Sequence, residues 1–407
     1  MSAHDVVIVG GGPAGLSAAR RLAVSGVHDV VVLEREGEAG GIPRHCGHTG
    51  FGLGQFLSLP MTGPAYARRL VDATHGIEIR TRTTVTGIEP GGRVHVTHPD
   101  SGPAVVTGRC VMLATGVRET PRSARLVSGT RPWGVTTTGA LQQFVYLART
   151  RPFSRAVVVG TELVSFSALL TARHAGIEIA AMLEEGERIT ARRPGDWIAR
   201  HVLGVPVLTG TRLVAIRGGD KVEAVEIERA GRRETIACDG VVFTGRFQPE
   251  TAILKTSHLA LDPGTGGPAI DQYFRCSDVQ FFAAGNLLRP VETSGLCWAE
   301  GRIVAANMIL SLKNRLPEAT PAVAVTYAGP LKYVYPQRFT AQMGVVGAPP
   351  LRARVSRAAR GRLRLLVDGR ELWSHRVNPL PERRITIPTD RLPPVGAHSI
   401  HVELIED

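Results

Sequence analysis

The feature that most constrains this chain is its first glycine cluster, Gly10–Gly15, together with the segments on either side of it. An apolar run of strand length, Asp5–Val9, precedes a G-x-G-x-x-G pattern. Leu16–Ala23, which follows the glycines, is rich in good helix formers. A second apolar run then ends in Glu34, roughly twenty residues beyond the last glycine. Strand, glycine turn, helix, strand and acid in this order predict a βαβ unit that binds a dinucleotide.

Each residue type in this pattern has a physical reason. Gly10 permits the tight turn, Gly12 lets the backbone approach a pyrophosphate, and Gly15 lets the helix lie close to the strand. The N-terminus of the helix offers free N–H groups and the positive end of its dipole to phosphates. Glu34 is expected to accept hydrogen bonds from ribose hydroxyls.

The composition indicates a soluble globular protein of two or three domains. The chain has 407 residues, of which 43% are hydrophobic and 21% are charged. No apolar run reaches the length of a membrane span, and the apolar strand that begins the chain leaves no room for a signal peptide. We therefore expect a cytoplasmic protein without a membrane span.

The net charge of +12 does not by itself indicate a nucleic-acid partner. The excess is nearly all arginine, spread along the chain, and aromatic residues make up only 5% of the sequence. The cysteines are scattered without a C-x-x-C pair, so we expect neither a disulfide framework nor a metal site. They are Cys46, Cys110, Cys238, Cys276 and Cys297.

A second strand–helix–strand unit begins at Ala156, but its glycine turn is altered. Gly160 is present, whereas Glu162 occupies the second glycine position and Ser165 the third. A glutamate side chain obstructs the close approach of a pyrophosphate and repels its charge, at a cost on the order of kcal/mol. We therefore do not expect NAD(P)H to bind here as in reductases. The alternative is that Glu162 turns outward and the site is merely weakened.

The rest of the chain contains two further strands that end in glycine-containing motifs, followed by a change in composition near residue 321. A buried strand ends in Ala114-Thr115-Gly116, and another leads into Gly285-Asn286 before an amphipathic helix, Gly295–Leu312. From about residue 321 the sequence has proline-rich linkers and short alternating strands, with a hairpin signal at Asp368-Gly369. This tail predicts a small all-β domain of roughly eighty residues.

These motifs, in this order, resemble the two-dinucleotide-domain flavoproteins of the pyridine nucleotide-disulfide oxidoreductase superfamily, over about residues 4–315. The resemblance implies an α/β fold: a Rossmann-like FAD-binding domain with an inserted second Rossmann-like, NAD(P)-type domain, plus the small C-terminal β domain. The boundaries we expect are 1–124 and 247–316 for the two FAD-binding segments, 125–246 for the insertion and 325–407 for the β domain.

The resemblance also implies which residues hold FAD. The expected cofactor-binding residues are Gly10, Gly12, Pro13, Ala14, Gly15, Glu34, Arg35, Gly41, Val85, Ala114, Thr115, Gly116, Gly285 and Asn286. The superfamily usually has aspartate at the position of Asn286, where the carboxylate binds a ribityl hydroxyl. Asparagine keeps an acceptor there, so FAD binding is compatible with the change. The helix after Gly295 is expected to direct its N-terminus toward the flavin.

A closer resemblance is carried by the segments GGIPRHCGHTGFG, TGPAYARRL, ATGVRETPR and LDPGTGGPAIDQ, and by AGPLKYVYPQR in the tail. They look like a bacterial and archaeal subfamily of FAD-dependent oxidoreductases associated with glycerol-3-phosphate-dehydrogenase-like flavoproteins. This resemblance implies a second flavoprotein and a small cysteine-rich electron-transfer protein as partners, beside a small-molecule substrate.

Cys46 lies where related reductases keep a redox cysteine, and its flanking residues leave two interpretations open. His45 and His48, with Arg44, could depress the pKa of the thiol, and the two histidines are candidates for acid–base chemistry beside a flavin. Alternatively, Cys46 is an unreactive packing residue, as most free cysteines are. The candidate catalytic residues are therefore Cys46, His45 and His48.

The leading hypothesis is an FAD-dependent dehydrogenase or electron-transfer subunit that works with a partner redox protein. One alternative is an NAD(P)H-dependent reductase, in which Glu184 or Glu185 favours NADH and Cys46 takes a redox role. Another is an FAD-stabilised scaffold subunit without turnover. Glu292 and Trp298 either face the substrate or are structural. Substrate, direction of electron flow and oligomeric state are left open by the sequence.

Overall fold

The structure, a computed structural model, describes residues 2–55, 60–340, 349–390, 392 and 396–407. The chain divides into two units, and each is described by itself. The first unit consists of Met1–Gly41, Ala67–Val117 and Pro249–Asp407. The second unit consists of Ile42–Tyr66 and Arg118–Gln248.

Among the described residues, two helices of twelve residues begin beside the two glycine turns, and the longest helix lies near the end of the first unit's last parallel strand. The α-helices are α1 (Pro13–Val24), α2 (Gly63–Asp72), α3 (Thr138–Gln142), α4 (Leu163–His174), α5 (Gly195–Trp197) and α6 (Ser294–Leu312). Short 3₁₀ segments span Ile42–His45, Arg122–Arg125 and Gly285–Leu287, and π-helical turns span Gln143–Leu147 and Ile198–Val202. None of the helices in the described ranges is long and apolar enough to cross a membrane.

The longest of the described strands is the eighth, and the others have eight residues or fewer. Up to the end of the second unit they are β1 (Ser2–Val9), β2 (Val30–Leu33), β3 (Thr49–Phe51), β4 (Met61–Thr62), β5 (Glu78–Arg80), β6 (Thr84–Glu89), β7 (Arg93–His98), β8 (Gly102–Leu113), β9 (Val117–Arg118), β10 (Ser128–Gly129), β11 (Val135–Thr137), β12 (Arg155–Val159), β13 (Glu178–Leu183), β14 (Val207–Leu208), β15 (Thr211–Arg217), β16 (Ala224–Arg229), β17 (Arg232–Ala237), β18 (Gly240–Phe243) and β19 (Gln248–Pro249).

The remaining strands follow in the last segment of the first unit. They are β20 (Phe281–Ala283), β21 (Ala322–Ala328), β22 (Leu331–Tyr335), β23 (Arg338–Thr340), β24 (Leu351–Val355), β25 (Gly361–Val367), β26 (Arg370–Val377), β27 (Ile385–Ile387) and β28 (Ile400–Glu406).

The first unit is built on a sheet whose centre is parallel. Its strand order is β5-β2-β1-β8-β7-β6, and β20 also pairs with β8. Strands β5, β2, β1, β8 and β20 are parallel, whereas β6 and β7 form an antiparallel extension. Val6–Val9 and Val30–Leu33 are almost completely buried, as expected for parallel strands covered on both faces. Because the strands run parallel, the ends of β1, β8 and β20 lie at one edge of the sheet.

Helices α1 and α6 pack against each other and flank this edge. Ser17 of α1 donates a hydrogen bond to the carbonyl of Trp298 in α6, at 2.7 Å. Gly301 of α6 faces Ala14, and a Cβ atom at Gly301 would lie 2.1 Å from the Ala14 carbonyl oxygen. The absence of a side chain at Gly301 therefore sets how closely the two helices approach.

The C-terminal part of the first unit, β21–β28, forms two further sheets. One has the order β23-β21-β28-β25-β26 and the other β22-β24-β27. Their apolar side chains, including Phe339, Leu351, Leu363 and Val402, form a core of their own. The predicted hairpin at Asp368-Gly369 connects β25 to β26. We refer to β21–β28 as the β module.

The second unit contains a five-stranded parallel sheet and an antiparallel meander. The parallel sheet has the order β11-β18-β12-β13-β14, and α4 crosses over from β12 to β13. The meander, β15-β16-β17, has β10 added in parallel at one edge. This is the second Rossmann-like unit predicted from Ala156 onward.

The expected fold class is confirmed: two Rossmann-like sheets and a C-terminal β region are all present. Several element bounds differ from the sequence expectations by a few residues. For example, β20 covers only Phe281–Ala283, because Val279 at the start of the apolar run is 50% exposed and stands outside the sheet. The π-helical turn that continues α3 was not predicted, since sequence periodicity does not separate α from π winding.

Candidate functional site

The first glycine turn is held tightly against the end of β8. Gly10 has a φ of 108°, a region that side chains rarely adopt, and a Cβ there would lie 2.4 Å from the Ala114 carbonyl oxygen. Ala114 in turn donates its N–H to the Val9 carbonyl at 2.8 Å. The predicted residues Gly10 and Ala114 are thus brought together in the structure.

The N-terminus of α1 opens beside this turn. Gly12 is the N-cap with an extended backbone, Pro13 is the first helical residue, and no side chain in the described part of the chain caps the helix. A Cβ on Gly12 would meet only the Cα of Gly41, at 3.9 Å. The first N–H groups of α1 are therefore accessible to a phosphate, which is the arrangement that dinucleotide pyrophosphates use.

Glu34 lies at the end of β2 and forms a hydrogen bond with the backbone of the glycine turn. It is buried, and its two carboxylate oxygens accept the N–H groups of Gly11 and Glu36, each at 2.9 Å. Arg35 is exposed and lies 3.6 Å from the Glu36 carboxylate. Val85, on β6, packs against the core of the unit. Glu34 has the position and chemistry expected for a ribose-binding acid, with acceptor sites beyond these two bonds.

The segment Ala114–Gly116 turns out of the sheet with open space beside it. Thr115 donates its hydroxyl to the carbonyl of Glu250 at 2.8 Å, and Glu250 donates its N–H to the Gly116 carbonyl at 2.9 Å. Among the described atoms, nothing lies within 4 Å of a Cβ built on Gly116. The segment is fixed on one side and leaves room for a ligand on the other.

Gly285 and Asn286, which follow β20, complete this edge of the first unit. Gly285 has a φ of 74°, and a Cβ there would lie 3.1 Å from the Cβ of Ala14 in α1. Asn286 uses both ends of its amide within its own loop: Oδ1 accepts the Glu292 N–H at 2.7 Å, and Nδ2 donates to the Glu292 carbonyl at 3.1 Å. The Oδ1 atom retains a second lone pair for a hydroxyl ligand.

A buried ion pair lies behind Gly285. Arg289 contacts the carboxylate of Glu300 at 2.9 Å, and both side chains are almost fully buried. Burial opposes the charge of Arg289, but the Glu300 carboxylate outweighs it and holds the pKa of the guanidinium above its ordinary value. The pair is therefore charged and fixes the backbone around it. Neither residue was singled out from the sequence; Glu300, the one acidic residue within the mainly apolar α6, was the available signal.

The glycine turn of the second unit contains a carboxylate. Glu162 precedes α4, and its Oε2 accepts the hydroxyls of Thr244 at 2.9 Å and Ser165 at 3.2 Å. A Cβ on Gly245 would lie 2.3 Å from Glu162 Oε1. Burial raises the pKa of this carboxyl. The side chain thus turns inward across the turn, so the outward-turned alternative does not describe this structure.

Glu184, the acid at the end of β13, also accepts hydrogen bonds from its own unit. Glu184 accepts the hydroxyl of Thr161, the hydroxyl of Thr190 at 3.2 Å and the N–H of Gly186 at 2.9 Å. Glu185, beside it, is exposed and lies 3.4 Å from Arg246. The acid that would bind a nicotinamide ribose is therefore already hydrogen-bonded by groups of the same unit.

Cys46, His45 and His48 lie in the second unit around the 3₁₀ turn Ile42–His45. Cys46 is buried, with its sulfur 3.4 Å from the Ile42 carbonyl and 3.5 Å from Gln142 Oε1. Burial raises the pKa of Cys46 to about 12, aided by the nearby Glu119, whereas a redox thiol needs a lowered value. A thiol of this kind is protonated at neutral pH.

The two histidines differ from each other. His45 is buried, and burial with the neighbouring Arg44 lowers its pKa to about 4, so it is neutral at pH 7. His48 lies 2.9 Å from both the Ser167 hydroxyl and the Thr49 carbonyl, one from each ring nitrogen. Within the described residues, no group of three or more His, Cys, Asp or Glu is placed to hold a metal ion.

Comparison with known proteins gives a consistent family and fold. A family model described as pyridine nucleotide-disulphide oxidoreductase matches residues 4–322. An opine oxidase subunit of Rhizobium meliloti (strain 1021) is 32% identical over 344 residues, which cover 78% of this chain and 73% of that protein. The alpha subunit of sarcosine oxidase from the same strain is 27% identical over 321 residues, 72% of this chain but only 28% of that protein.

A solved structure extends the likeness to three dimensions. Thioredoxin reductase of T. acidophilum superposes with a TM-score of 0.65 at 22% identity, covering 78% of this chain and 100% of that one. At this identity the likeness concerns the fold. The superposition covers only part of this chain.

Proposed function

The chain belongs to the pyridine nucleotide-disulphide oxidoreductase family and shares its FAD-dependent oxidoreduction, and within that family we propose that it is a dehydrogenase or electron-transfer subunit. Its flavin would exchange electrons with a small organic substrate and a partner redox protein. The single observation that carries this proposal is the contrast between the two glycine turns. The first turn is open at the N-terminus of its helix, whereas the second is closed by Glu162.

FAD fits the first unit on several independent grounds. Gly10–Gly15 and the start of α1 would hold the pyrophosphate, Glu34 the adenosine ribose, and Gly116 with Gly285 and Asn286 the remainder. The open space beside Gly12 and Gly116 is what close backbone approach requires. When bound, FAD supplies the redox chemistry, and the chain supplies binding, orientation and electrostatics.

Two features of the second unit support independence from NAD(P)H. The Glu162 side chain lies across the turn where a pyrophosphate would bind and occupies that space, and its ionised form would also repel the phosphates. Glu184, which would bind the ribose, already accepts hydrogen bonds from three groups, those of Thr161, Thr190 and Gly186, one more than the carboxylate of Glu34 accepts in the first unit. Electrons would then reach the flavin from a substrate or partner rather than from a nicotinamide.

The burial of Cys46 supports its role as a packing residue. A thiol with a pKa of about 12 carries almost no thiolate at pH 7, so it is a poor electron relay. His45, His48 and Cys46 therefore stay predictions as catalytic residues, with His45 limited to its neutral form. This weakens the reductase alternative that uses Cys46.

The names of the relatives suggest the substrate class and the partners. The opine oxidase and sarcosine oxidase relatives are both named as subunits, so we propose that this chain also works in an assembly. Sarcosine and opines are the first substrates to test. The closer subfamily, a second flavoprotein and a small cysteine-rich protein as partners, the cytoplasmic location, and the domain boundaries 1–124, 125–246, 247–316 and 325–407 stay predictions.

The test is a visible spectrum of the purified protein, followed by anaerobic addition of NADH, NADPH, sarcosine and an opine in separate samples. We expect a flavin band that bleaches with a secondary-amine substrate or with dithionite, but not with either nicotinamide. Rapid bleaching by NADH would favour the reductase alternative. A flavin that no substrate or partner reduces would favour the scaffold alternative, and a protein that binds no FAD after reconstitution would refute the proposal.

A further inference from the structure

The β module is joined to the FAD-binding sheet by more than the connecting chain. Tyr333 and Tyr335 of β22 belong to the core that also contains Val9 and Leu113. Gln337 exchanges hydrogen bonds with the backbone of Ile270, accepting its N–H through Oε1 at 3.0 Å and donating its own N–H at 3.0 Å. The module is therefore packed into the same unit as this sheet.

The module covers the ion pair that holds Gly285. Glu300 accepts the Gly285 N–H at 2.7 Å, and Arg289 donates to the Gly285 carbonyl at 2.7 Å, so both backbone polar groups of this glycine are fixed. The guanidinium of Arg289 lies 4.8 Å from the ring centre of Tyr335, and Arg352 of β24 lies 3.7 Å from Glu300. Two side chains of the module thus enclose the pair on which the conformation of Gly285 depends.

The module also binds the loop between Asn286 and α6. Arg354 of β24 donates to the carbonyls of Pro290 at 3.2 Å and Val291 at 2.7 Å. The Glu292 carboxylate lies 2.9 Å from Arg384 and 3.6 Å from Arg354, with only 7% of its side chain exposed. The Glu292 carboxylate is thus paired with arginines of the module, which favours the structural interpretation of this residue.

We propose that Arg354 and Arg384 of the β module are positioning residues of the flavin site. They hold the loop that connects Gly285 and Asn286 to Ser294, where α6 begins. Through Asn286, whose amide is bonded to both backbone groups of Glu292, a shift at Glu292 is transmitted to the expected ribityl-binding position. This inference rests on the proposed FAD site and gives the β module a role inside it.

The electrostatics give the proposal a specific consequence for the flavin. The N-terminal end of α6 carries the positive end of the helix dipole, which favours negative charge close to it. A reduced flavin is more negative than an oxidised one, so a helix start that moves away would stabilise it less. Loosening the loop is therefore expected to weaken FAD binding and to make the reduction potential of bound flavin more negative.

The experiment compares Arg354→Gln, Arg384→Gln and Glu292→Gln with a matched control, Arg357→Gln. Arg357 also belongs to the module and pairs with Glu406 at 2.6 Å, but the pair is exposed, and the hydrogen bonds of Arg357 go to Ala358 and Glu406 rather than to the loop. Three properties are measured in the full chain: FAD affinity by fluorescence, the reduction potential of bound flavin, and hydrogen exchange of residues 286–293 without FAD.

We expect at least a tenfold weaker FAD affinity and a more negative potential for Arg354→Gln, with faster exchange in the loop even without FAD. Arg384→Gln and Glu292→Gln should each have smaller effects, and the variant that combines these two should be less impaired than the sum of their separate effects. The control should match the unmodified protein in all three measurements.

The outcomes separate this inference from the proposed function. If the unmodified protein binds FAD and the loop variants behave like Arg357→Gln, the positioning role is refuted while the FAD site stands. Variants that lose thermal stability but keep the potential and exchange rates of the unmodified protein would also refute it. An unmodified protein without FAD affinity would refute both.

Discussion

At the scale of single residues, Glu162 is what distinguishes the second glycine turn from the first. Glu162→Gly restores the small residue expected there and leaves Ser165 and Thr244 bonded to each other at 2.7 Å. We expect at least a tenfold gain in the rate of flavin reduction by NADH, since the side chain that fills the turn is removed together with its carboxyl group. Glu162→Gln is the matched control, because it removes the charge but keeps the bulk in the turn.

The measurement is anaerobic flavin bleaching under excess NADH, with the three proteins at equal flavin content. The control should gain less than Glu162→Gly, because the glutamine side chain still fills the turn. If the unmodified protein is already reduced as fast as Glu162→Gly, the carboxylate does not close the turn and the interpretation of the second unit is wrong.

Cys46 leads to a prediction about pH. Burial raises its pKa from 9.0 to about 12, so between these values the unfolded chain has lost a proton that the folded protein keeps. Folding stability therefore falls as pH rises above about 9, by about 1 kcal/mol between pH 8 and pH 10. Cys46→Ala should lack this contribution, although it is less stable at both pH values because packing is lost.

Urea unfolding at pH 8 and pH 10 checks this prediction, with iodoacetamide labelling of the native protein as a second measurement. The unmodified protein should lose more stability than Cys46→Ala over this interval and should resist labelling at Cys46. Equal losses, or rapid labelling at pH 8, would show that the thiol is accessible and ionised, as a redox role requires.

At the scale of elements, the contact between α1 and α6 joins two segments that contribute to the proposed FAD site. Gly301→Ala places a methyl group 2.1 Å from the Ala14 carbonyl oxygen, so α6 must move away from α1. We expect a loss of about 1–3 kcal/mol in folding stability and a weaker FAD affinity. Gly219→Ala is the control, since no described atom lies within 4 Å of the added methyl group.

Denaturant unfolding and FAD titration of both variants check this expectation. Weaker FAD binding in Gly301→Ala with a normal control would link the spacing of the helices to the site. If Gly301→Ala binds FAD normally at unchanged stability, the close approach of the helices is not needed.

The elements that follow local rules were predictable from the sequence, whereas the contacts between distant segments were not. Gly10–Gly15, Glu34 and Gly285 were found because a glycine turn, an acid at a strand end and a buried strand each leave a short-range pattern. The pair formed by Glu292 with Arg384 leaves no such pattern, because its partner lies far along the chain in the β module. The inward turn of Glu162 also depended on Thr244, a residue far along the chain.

At the scale of the whole molecule, the two units should respond differently to ligands. A ligand that binds the folded state alone stabilises it, by about 2.7 kcal/mol at a concentration one hundred times its Kd. We expect FAD to raise the unfolding temperature of the apoprotein and NADH at the same concentration to leave it unchanged. Differential scanning calorimetry measures both, and stabilisation by NADH alone would contradict the proposed closure of the second turn.

The hydrogen bonds of Glu184 have a consequence for anyone who redesigns this protein. Cofactor preference in Rossmann proteins is commonly altered at the acid that ends the second strand. Here that acid joins Thr161, Thr190 and Gly186, so its replacement would release three internal partners before it changed any preference. To make this chain use a nicotinamide, a designer must first replace Glu162 with a small residue. The hydroxyls of Thr161 and Thr190 would then need new hydrogen-bond partners. Only then does the choice between NADH and NADPH arise.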